Sequence, residues 1–361
     1  MKNFKGIGFW LLLVLLIVSA CQGYRIVVDD SSRDVVSFKI NNEIRMKAFG
    51  LIDEFEQKVN DSTYHKQSVL KNISMYDVFK DLRTMLDYPN STIIGNSGHY
   101  CSVAVILNWL LNNQPEKYTN AVLELAYYGE TSFDGERMKV PEKLRNKIDY
   151  SIVDTIDFKV VRKDIETTSI SDFVLGVSLM YAEKGLQRVG MLNRHALFNK
   201  KRPGAFVFAI TGPWELDDLF DRMDVKFKQK GFYLSDKENI ETLKTVESAV
   251  KEGKMPVIFD NHIISFGQRQ NALYGYTGTH YITIHYMKVD WENDIVDYCY
   301  WDYGRVKNNP FKTRTIKAKP ANTISGTVRK VERFKKKNVV QKRTITTKEF
   351  LKAMKGYWIP E

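Results

Sequence analysis

The chain has 361 residues, enough for one large domain or two modest ones, with 43% hydrophobic and 27% charged residues. This composition is that of a globular protein and excludes a disordered chain. The net charge of +11 is uneven, because residues 305–361 hold seventeen Lys/Arg against three acids and the remainder holds 37 against 40. The positive charge therefore belongs to one C-terminal segment, and it does not mark the whole domain as a nucleic-acid-binding protein.

The N-terminus has the layout of a secretory signal. Two lysines precede an apolar run over residues 7–18, which is too short for a comfortable transmembrane span. Small residues then lead to Cys21, an arrangement that resembles a bacterial lipobox, in which the cysteine is lipidated. We predict a signal peptide over 1–20, a tether over 21–41 and an extracytoplasmic protein held to a bacterial membrane by its lipid. An uncleaved signal anchor is the alternative and predicts the same location.

Two amphipathic helices are predicted next, over residues 43–59 and 76–86. A polar loop follows and leads, at Cys101, into a segment that is apolar on every side. A helix that is apolar all round must be buried, so we expect the central helix of a domain. Cys101 in its first turn would face the positive end of the helix dipole, which lowers the pKa of a thiol and favours the nucleophilic thiolate. The alternative is a small apolar residue that caps a core helix.

The remaining chain divides into a helical half and a strand-rich half. Helical periodicity extends over about 114–201, with a loop at Gly129 and Gly135. Further predicted elements are strands at 205–211, 255–259, 281–289 and 295–302 and helices at 214–223, 242–251 and 347–354. Helices before Pro203 and mostly strands after it predict one α+β domain over residues 42–361.

The last two predicted strands form a hairpin that brings a histidine and an acid together. If Val289 pairs with Ile295, paired positions sum to 584. Side-chain alternation then places His280 and Asp302 on one face as diagonal neighbours, roughly 7–8 Å apart. A carboxylate there can hold the tautomer and orientation of an imidazole, as the third member of a nucleophile–base–orienter site. A one-residue slip would move Asp302 to the other face.

The other cysteine and histidine residues leave alternatives open. With Cys21 lipidated, Cys101 and Cys299 could form a disulfide, which would abolish the nucleophile. The predicted register puts Cys299 on the face opposite to His280 and favours a buried free thiol. His262 is the competing base, but it has no acid partner on a strand. No metal site or other cofactor is predicted, because the His and Cys residues lack paired ligand spacing.

These features together resemble the papain-like cysteine peptidases, most closely the bacteriocin-processing, double-glycine-leader type. The matching blocks, after the cysteine at a helix start, are GKMPVI at 253–258, GTHYITI at 278–284, WDYG at 301–304 and the closing segment 346–357. The resemblance covers about residues 94–361 and implies a papain-like fold, with a central cysteine-bearing helix packed on an antiparallel β-sheet. It implies Cys101 as nucleophile, His280 as general base and then acid, and Asp302 as orienter.

Three features depart from that family. Ser102 follows the cysteine where the family usually has Gly-Pro. The family's oxyanion glutamine is replaced by Gly95, so the neighbouring Asn96 becomes the predicted oxyanion donor. The cysteine and histidine lie 179 residues apart, which is longer than usual and implies a helical insertion over about 114–201.

The sequence thus predicts a membrane-anchored thiol hydrolase, a cysteine peptidase that acts on a peptide or protein substrate. A catalytically inactive papain-like lipoprotein that binds a peptide or cell-wall ligand is one alternative, and a peptidoglycan amidase or acyltransferase with the same triad is another. The basic insertion at about 305–343 predicts a solvated β-hairpin extension or a contact with anionic lipid or cell-wall polymer. Nucleic acid is not an expected partner.

Overall fold

The computed structural model describes most of the chain beyond residue 33. The described residues are 34–37, 42–61, 65–70, 73–91, 101–142, 145, 169–184, 213–232, 239–260, 264, 280–301 and 339–361. They form helices and an antiparallel sheet, which confirms the predicted α+β class. No helix among them combines the length and apolarity needed to cross a bilayer. The predicted signal peptide and Cys21 lie outside these residues.

The described part of the chain contains eight α-helices, numbered here in chain order, besides a 3-10 turn at Pro89–Ser91. They are α1 (Asn42–Asn60), α2 (Met75–Asp87), α3 (Cys101–Asn113), α4 (Pro115–Tyr127), α5 (Ile170–Lys184), α6 (Pro213–Asp221), α7 (Asn239–Lys251) and α8 (Thr347–Ala353). A reciprocal capping box fixes the start of α2 at Ser74 and Asp77. Thr346 and Glu349 form the same motif before α8.

Seven of the nine described strands form one antiparallel sheet. The strands are β1 (Asp34–Ser37), β2 (Glu130–Phe133), β3 (Glu136–Lys139), β4 (Phe227–Phe232), β5 (Val257–Asp260), β6 (His280–Asp290), β7 (Ile295–Trp301), β8 (Val339–Thr346) and β9 (Met354–Pro360). Their order across the sheet is β1-β8-β7-β6-β5-β9-β4, and β2 and β3 pair separately. Strand β6 is therefore central, between β5 and β7.

Helices cover both faces of the sheet. Apolar side chains of α1–α6 form a large core with one face, which carries Tyr281 and Trp301 and which we call the α3 face. Side chains of α7 and α8 form a second core with the opposite face, which carries Ile282 and Tyr300 and which we call the α7 face. The sheet is thus the middle of three layers, and adjacent residues along a strand enter different cores.

Helix α3 is the most completely buried helix that the structure describes. It begins at Cys101, as the sequence predicts, and every residue from 102 to 111 is buried. The segment has no polar side on which water could lie, so only a position between other layers satisfies it. The predicted central helix is confirmed.

A β-hairpin occupies the place where the sequence predicts a loop. Strands β2 and β3 pair across Asp134 and Gly135, which adopt positive φ angles of 42° and 83°. Asp-Gly is a favoured pair for such a tight hairpin turn, since both residues tolerate positive φ. The predicted helical insertion at 114–201 therefore contains this hairpin together with α4 and α5.

Two predicted boundaries include strands of the main sheet. Strand β1 falls within the predicted tether at 21–41 and pairs with β8. Residues 339–343 fall within the predicted basic insertion, yet they form the first part of β8, between β1 and β7. The rest of that insertion lies outside the described residues.

Gly129 provides a test of the local backbone. It follows α4 with φ of 79°, and its N–H donates to the Glu124 carbonyl at 3.2 Å. The Arg145 guanidinium occupies the space that a Cβ would need. Gly129→Ala should lower the free energy of unfolding by about 1–3 kcal/mol, because left-handed backbone is costly for an L-residue and Arg145 must move. Urea denaturation measures this loss.

Gly50→Ala is the matched control. Gly50 lies inside α1, and nothing approaches the position of its missing Cβ within 4 Å. The substitution should raise the free energy of unfolding by about 0.5–1 kcal/mol, since alanine favours the helix interior. Equal effects of the two substitutions would contradict the backbone assignment.

Candidate active site

A buried hydrogen bond ties α3 to the sheet. The Thr283 hydroxyl donates to Asn108 Oδ1 at 2.9 Å, and both side chains are fully buried. Asn108 Nδ2 donates to the Pro89 carbonyl at 3.2 Å and to Asn90 Oδ1 at 3.0 Å. One amide thus joins the helix to β6 and to the turn at Pro89–Ser91, which fixes the position of α3 along the strand.

The direction of α3 follows from a second contact at its C-terminal end. Asn113 lies 3.9 Å from the sulfur of Met255, just before β5. The neighbouring Pro256 carbonyl accepts from the N–H of Ile284 at 2.9 Å. Asn108 thus lies beside Thr283, and Asn113 lies beside residues of β6 that come after Thr283. Helix α3 and strand β6 run in the same direction.

This arrangement places the two predicted catalytic residues at one end of the layers. Cys101 precedes Asn108 by seven residues, or about 10.5 Å of helix. His280 precedes Thr283 by three residues, or about 10 Å of strand. With the Thr283–Asn108 bond as the common origin, these ideal rises put the backbones of Cys101 and His280 at about the same level along β6. Each is the first residue of its element.

His280 also has an acidic neighbour that the sequence reasoning missed. Asp260, the last residue of β5, is the register partner of His280 in the antiparallel ladder. Asp260 is 0% exposed and His280 is 3% exposed. The signal in the sequence is the acid at the end of the apolar segment 257–260. This segment pairs with the strand that begins at His280.

One contact of the Asp260 carboxylate is to the backbone of Ile264. Its Oδ1 accepts the backbone N–H of Ile264 at 3.1 Å. The Ile264 carbonyl in turn accepts from the Tyr298 hydroxyl at 2.7 Å and from Arg343 at 2.8 Å. The peptide at Ile264 is thereby attached to β5, β7 and β8, so the carboxylate is fixed from outside its own strand.

Alternation along β6 determines which core each side chain joins. Tyr281 lies in the core of the α3 face, and Thr283 bonds to α3 from that face. Ile282 and Ile284 lie in the core of the α7 face. The same alternation groups His280 with Ile282, together with Asp260 of the neighbouring strand. An imidazole that meets Cys101 must therefore pass around the start of β6.

The β6–β7 hairpin contains a bulge that changes its register. Thr283 pairs with Trp301 and Ile284 with Tyr300, which matches the predicted sum of 584. Beyond His285 the numbers of paired residues add to 585, so His285 is the extra residue of a β-bulge. The turn is therefore one residue shorter than predicted. The register prediction is confirmed at the end near His280 and wrong by one residue toward the turn.

Cys299 is a free thiol in this structure. It is 7% exposed and lies in the core of the α3 face, so the alternative disulfide with Cys101 is not formed. Burial raises the pKa of the Cys299 thiol, which keeps it protonated and unreactive. The expected buried free thiol is confirmed.

His285 belongs to the same polar chain as the α3 anchor. Its Nε2 lies 3.3 Å from the Thr283 hydroxyl, whose single proton is donated to Asn108. The ring nitrogen must therefore be the donor, which places a proton on Nε2. Burial lowers the pKa of His285 to about 3, in agreement with the neutral form. His285 serves the packing of α3 and is unsuited to general-base catalysis near neutral pH.

The remaining site residues are distributed as follows. Cys101 is described only as the first helical residue of α3, while Asn96, His262 and Asp302 lie outside the described residues. Ser102 Oγ is buried and makes no hydrogen bond with a described residue. Within the described ranges, no group of three or more His, Cys, Asp or Glu side chains could hold a metal ion.

Comparisons with known proteins identify no family for this chain. No protein-family model matches it, and neither the curated proteins nor the solved structures contain a match.

Thr283→Val tests the anchor of α3. The substitution preserves shape but removes the hydroxyl, and it leaves the Asn108 carbonyl oxygen without this donor in a dry interface. We expect a loss of about 1–3 kcal/mol in the free energy of unfolding by urea denaturation. Thr283→Ser retains the donor and should lose less. A valine variant as stable as the serine variant would contradict the role of the bond.

The pH dependence of stability tests the environment of His285. The folded protein holds this pKa near 3, below the ordinary 6.5, so the unfolded chain takes up the proton first. The contribution of neutral His285 is complete above pH 6.5 and is lost as pH falls from 6.5 toward 3. His285→Gln should flatten the fall in unfolding free energy over this interval. An unchanged slope would show that the ring titrates alike in both states.

Proposed function

We propose that the protein is a thiol hydrolase of papain-like architecture, a cysteine peptidase in which Cys101 is the nucleophile and His280 the general base. The observation that carries the proposal is the common level of Cys101 and His280 at the start of α3 and β6. A buried all-apolar helix with a cysteine at its N-terminus, laid along a central strand that begins with histidine, is the layout that such an enzyme needs.

The start of α3 supplies electrostatic support for a thiolate. Its first backbone N–H groups have no partner within the helix, and they present the positive end of the helix dipole. That field stabilises a negative charge by about 0.3–1 kcal/mol, and by up to about 2 kcal/mol in a partly buried position. The same N–H groups can donate to an oxyanion that forms beside Cys101.

The reaction would follow the two-step course of covalent thiol catalysis. The Cys101 thiolate attacks the carbonyl carbon of the scissile bond, and the backbone N–H of Cys101 and the amide of Asn96 stabilise the oxyanion. The His280 imidazolium gives its proton to the leaving amine as the C–N bond breaks. His280 then takes a proton from water, which attacks the thioester and releases the acid and the thiolate. Asp302 holds the imidazole in orientation.

A second candidate function is ligand binding without turnover. Side-chain alternation favours it, because His280 is grouped with Asp260 and Ile282 on the face away from α3. A ring that stayed on that face, instead of passing the start of β6, would leave Cys101 without a base. Such a protein would bind a peptide or cell-wall ligand, and the absence of Gly-Pro after the cysteine suits it.

We propose the same location as the sequence predicts. Signal cleavage before Cys21 and lipidation of that residue would hold the protein outside a bacterial cytoplasmic membrane. The basic residues between 305 and 338 would then face anionic lipid headgroups or cell-wall polymer at short range. This location also limits the substrates to peptides and proteins outside the cytoplasm.

Turnover on a peptide library tests the enzymatic proposal. Cys101→Ala and His280→Ala should each lower kcat by at least about 10³-fold, because the nucleophile and base act as one unit. Their combination should be little worse than either alone. Turnover that survives Cys101→Ala would contradict the assigned nucleophile, and bound peptide without turnover in the unaltered protein would favour the second candidate.

Alkylation rates provide a test that needs no substrate. Iodoacetamide at neutral pH should modify Cys101 at least about tenfold faster than Cys299, measured by mass spectrometry of the separate peptides. Cys299 is the internal control, since it is buried and its thiol pKa is raised. Equally slow modification of both would show that Cys101 is not activated.

A further inference from the structure

We infer that Asp260 is a positioning residue for His280, acting from the strand opposite to the one that carries Asp302; the inference rests on the proposed function. His280 begins the central strand β6, which lies between β5 and β7, and its described register partner is on β5. The sequence predicts a carboxylate on the β7 side. The structure adds a buried carboxylate on the β5 side.

The hydrogen-bond pattern of the ladder defines how close the two residues are. The N–H of Ile284 donates to the Pro256 carbonyl at 2.9 Å, so this pair is of the hydrogen-bonded kind. Hydrogen-bonded and non-hydrogen-bonded pairs alternate along an antiparallel ladder. The His280–Asp260 pair lies four pairs further along the ladder, so it is again of the hydrogen-bonded kind, with Cα atoms about 5.5 Å apart.

The spacing favours Asp260 over a diagonal acid as the direct partner. Side chains of a directly opposed pair leave the sheet on the same face with Cβ atoms about 4.5–5.5 Å apart. A diagonal neighbour, the relation predicted for Asp302, is about 7–8 Å away. An aspartate and a histidine span the shorter separation without leaving ordinary rotamers.

Burial gives the pair a physical reason to interact. Asp260 is 0% exposed and His280 is 3% exposed. A buried carboxylate is tolerated where donors compensate for its lost hydration. One donor is the N–H of Ile264 at 3.1 Å. An imidazole N–H on the same face, directly across the ladder, is suited to be another.

The support behind Asp260 is that of a preorganised site. Ile264, whose backbone N–H donates to Asp260, accepts at its carbonyl from Tyr298 and Arg343. A carboxylate fixed in this way can select one tautomer of His280 and one ring orientation. The proton would then stay on the nitrogen facing Asp260, and the other nitrogen would accept a proton in the reaction.

A purely structural role is the competing explanation. Asp260 could serve only to hold Ile264 beside the end of β5 through their hydrogen bond. Asp260→Asn separates the two roles, because the Asn side-chain oxygen can still accept the Ile264 N–H while the negative charge is lost. A structural role survives this change, and a positioning role does not.

The experiment compares the full-length protein with Asp260→Asn and Asp302→Asn, and it uses Asp297→Asn as a control on β7, where Asp297 bonds to Thr344. ¹⁵N NMR of the His280 ring nitrogens at neutral pH reports the tautomer without any substrate. We expect Asp260→Asn to change the tautomer ratio by at least about fivefold and to lower kcat by about 100-fold with little change in KM. Asp297→Asn should change neither.

The outcomes distinguish this inference from the proposed function. A folded Asp260→Asn protein with wild-type ring-nitrogen shifts overturns the inference, whatever the turnover. A shift change in Asp302→Asn alone also overturns it and assigns the orientation of His280 to Asp302. If the unaltered protein shows no Cys101-dependent turnover, the proposed function fails, and the ring-nitrogen shifts then decide whether Asp260 holds His280.

Discussion

The burial of α3 on every side is the constraint on which the rest of the structure depends. A helix without a polar stripe has no stable place at a surface, so other elements must enclose it. The sheet covers one side, and α4, α5 and α6 lie against others. A dry interface of this kind makes an unpaired polar group costly, so a buried polar side chain of α3 gains stability from a partner. Asn108 is the clearest case.

The Asn108–Thr283 bond converts apolar burial into a defined position. Hydrophobic contacts alone are non-directional and would tolerate sliding of α3 along the sheet by a turn. A buried amide that must meet a hydroxyl on one side and the turn at Pro89–Ser91 on the other permits only one position of α3 along β6. That position brings the starts of α3 and β6 to about the same level. The placement of Cys101 relative to His280 is thus a consequence of packing around an asparagine far from either.

The bulge at His285 likewise determines relative positions, here between two strands of the sheet. It shifts the β6–β7 register by one residue. The pairing near the turn therefore cannot be extended to His280 without allowing for this shift. The extra residue also brings its imidazole to the Thr283 hydroxyl, beside the α3 anchor. The predicted turn is one residue longer than the observed one, and the bulge adds one residue to β6. The two deviations cancel at Trp301.

The sequence by itself determined the features that depend on local pattern. The all-apolar segment after Cys101 predicts a buried helix that starts at the cysteine, because periodicity and the absence of polar residues are local properties. The alternating run after His280 likewise predicts a strand. The unpredicted β2–β3 hairpin was also within reach, since its Asp-Gly turn is a local signal.

Only the tertiary structure decided which elements meet. The Asp260–His280 pair depends on the register between β5 and β6. About 20 residues connect these strands, and their sequence gives no signal that sets this register. The same holds for the bond from β6 to Asn108, which lies 175 positions away along the chain. Such contacts arise because each buried polar group must find a partner in the assembled core, and the sum of all packing selects that partner. Chemistry at the start of α3 and β6 could be suspected from the residues, while the acid that lies directly opposite the histidine became visible only in the fold.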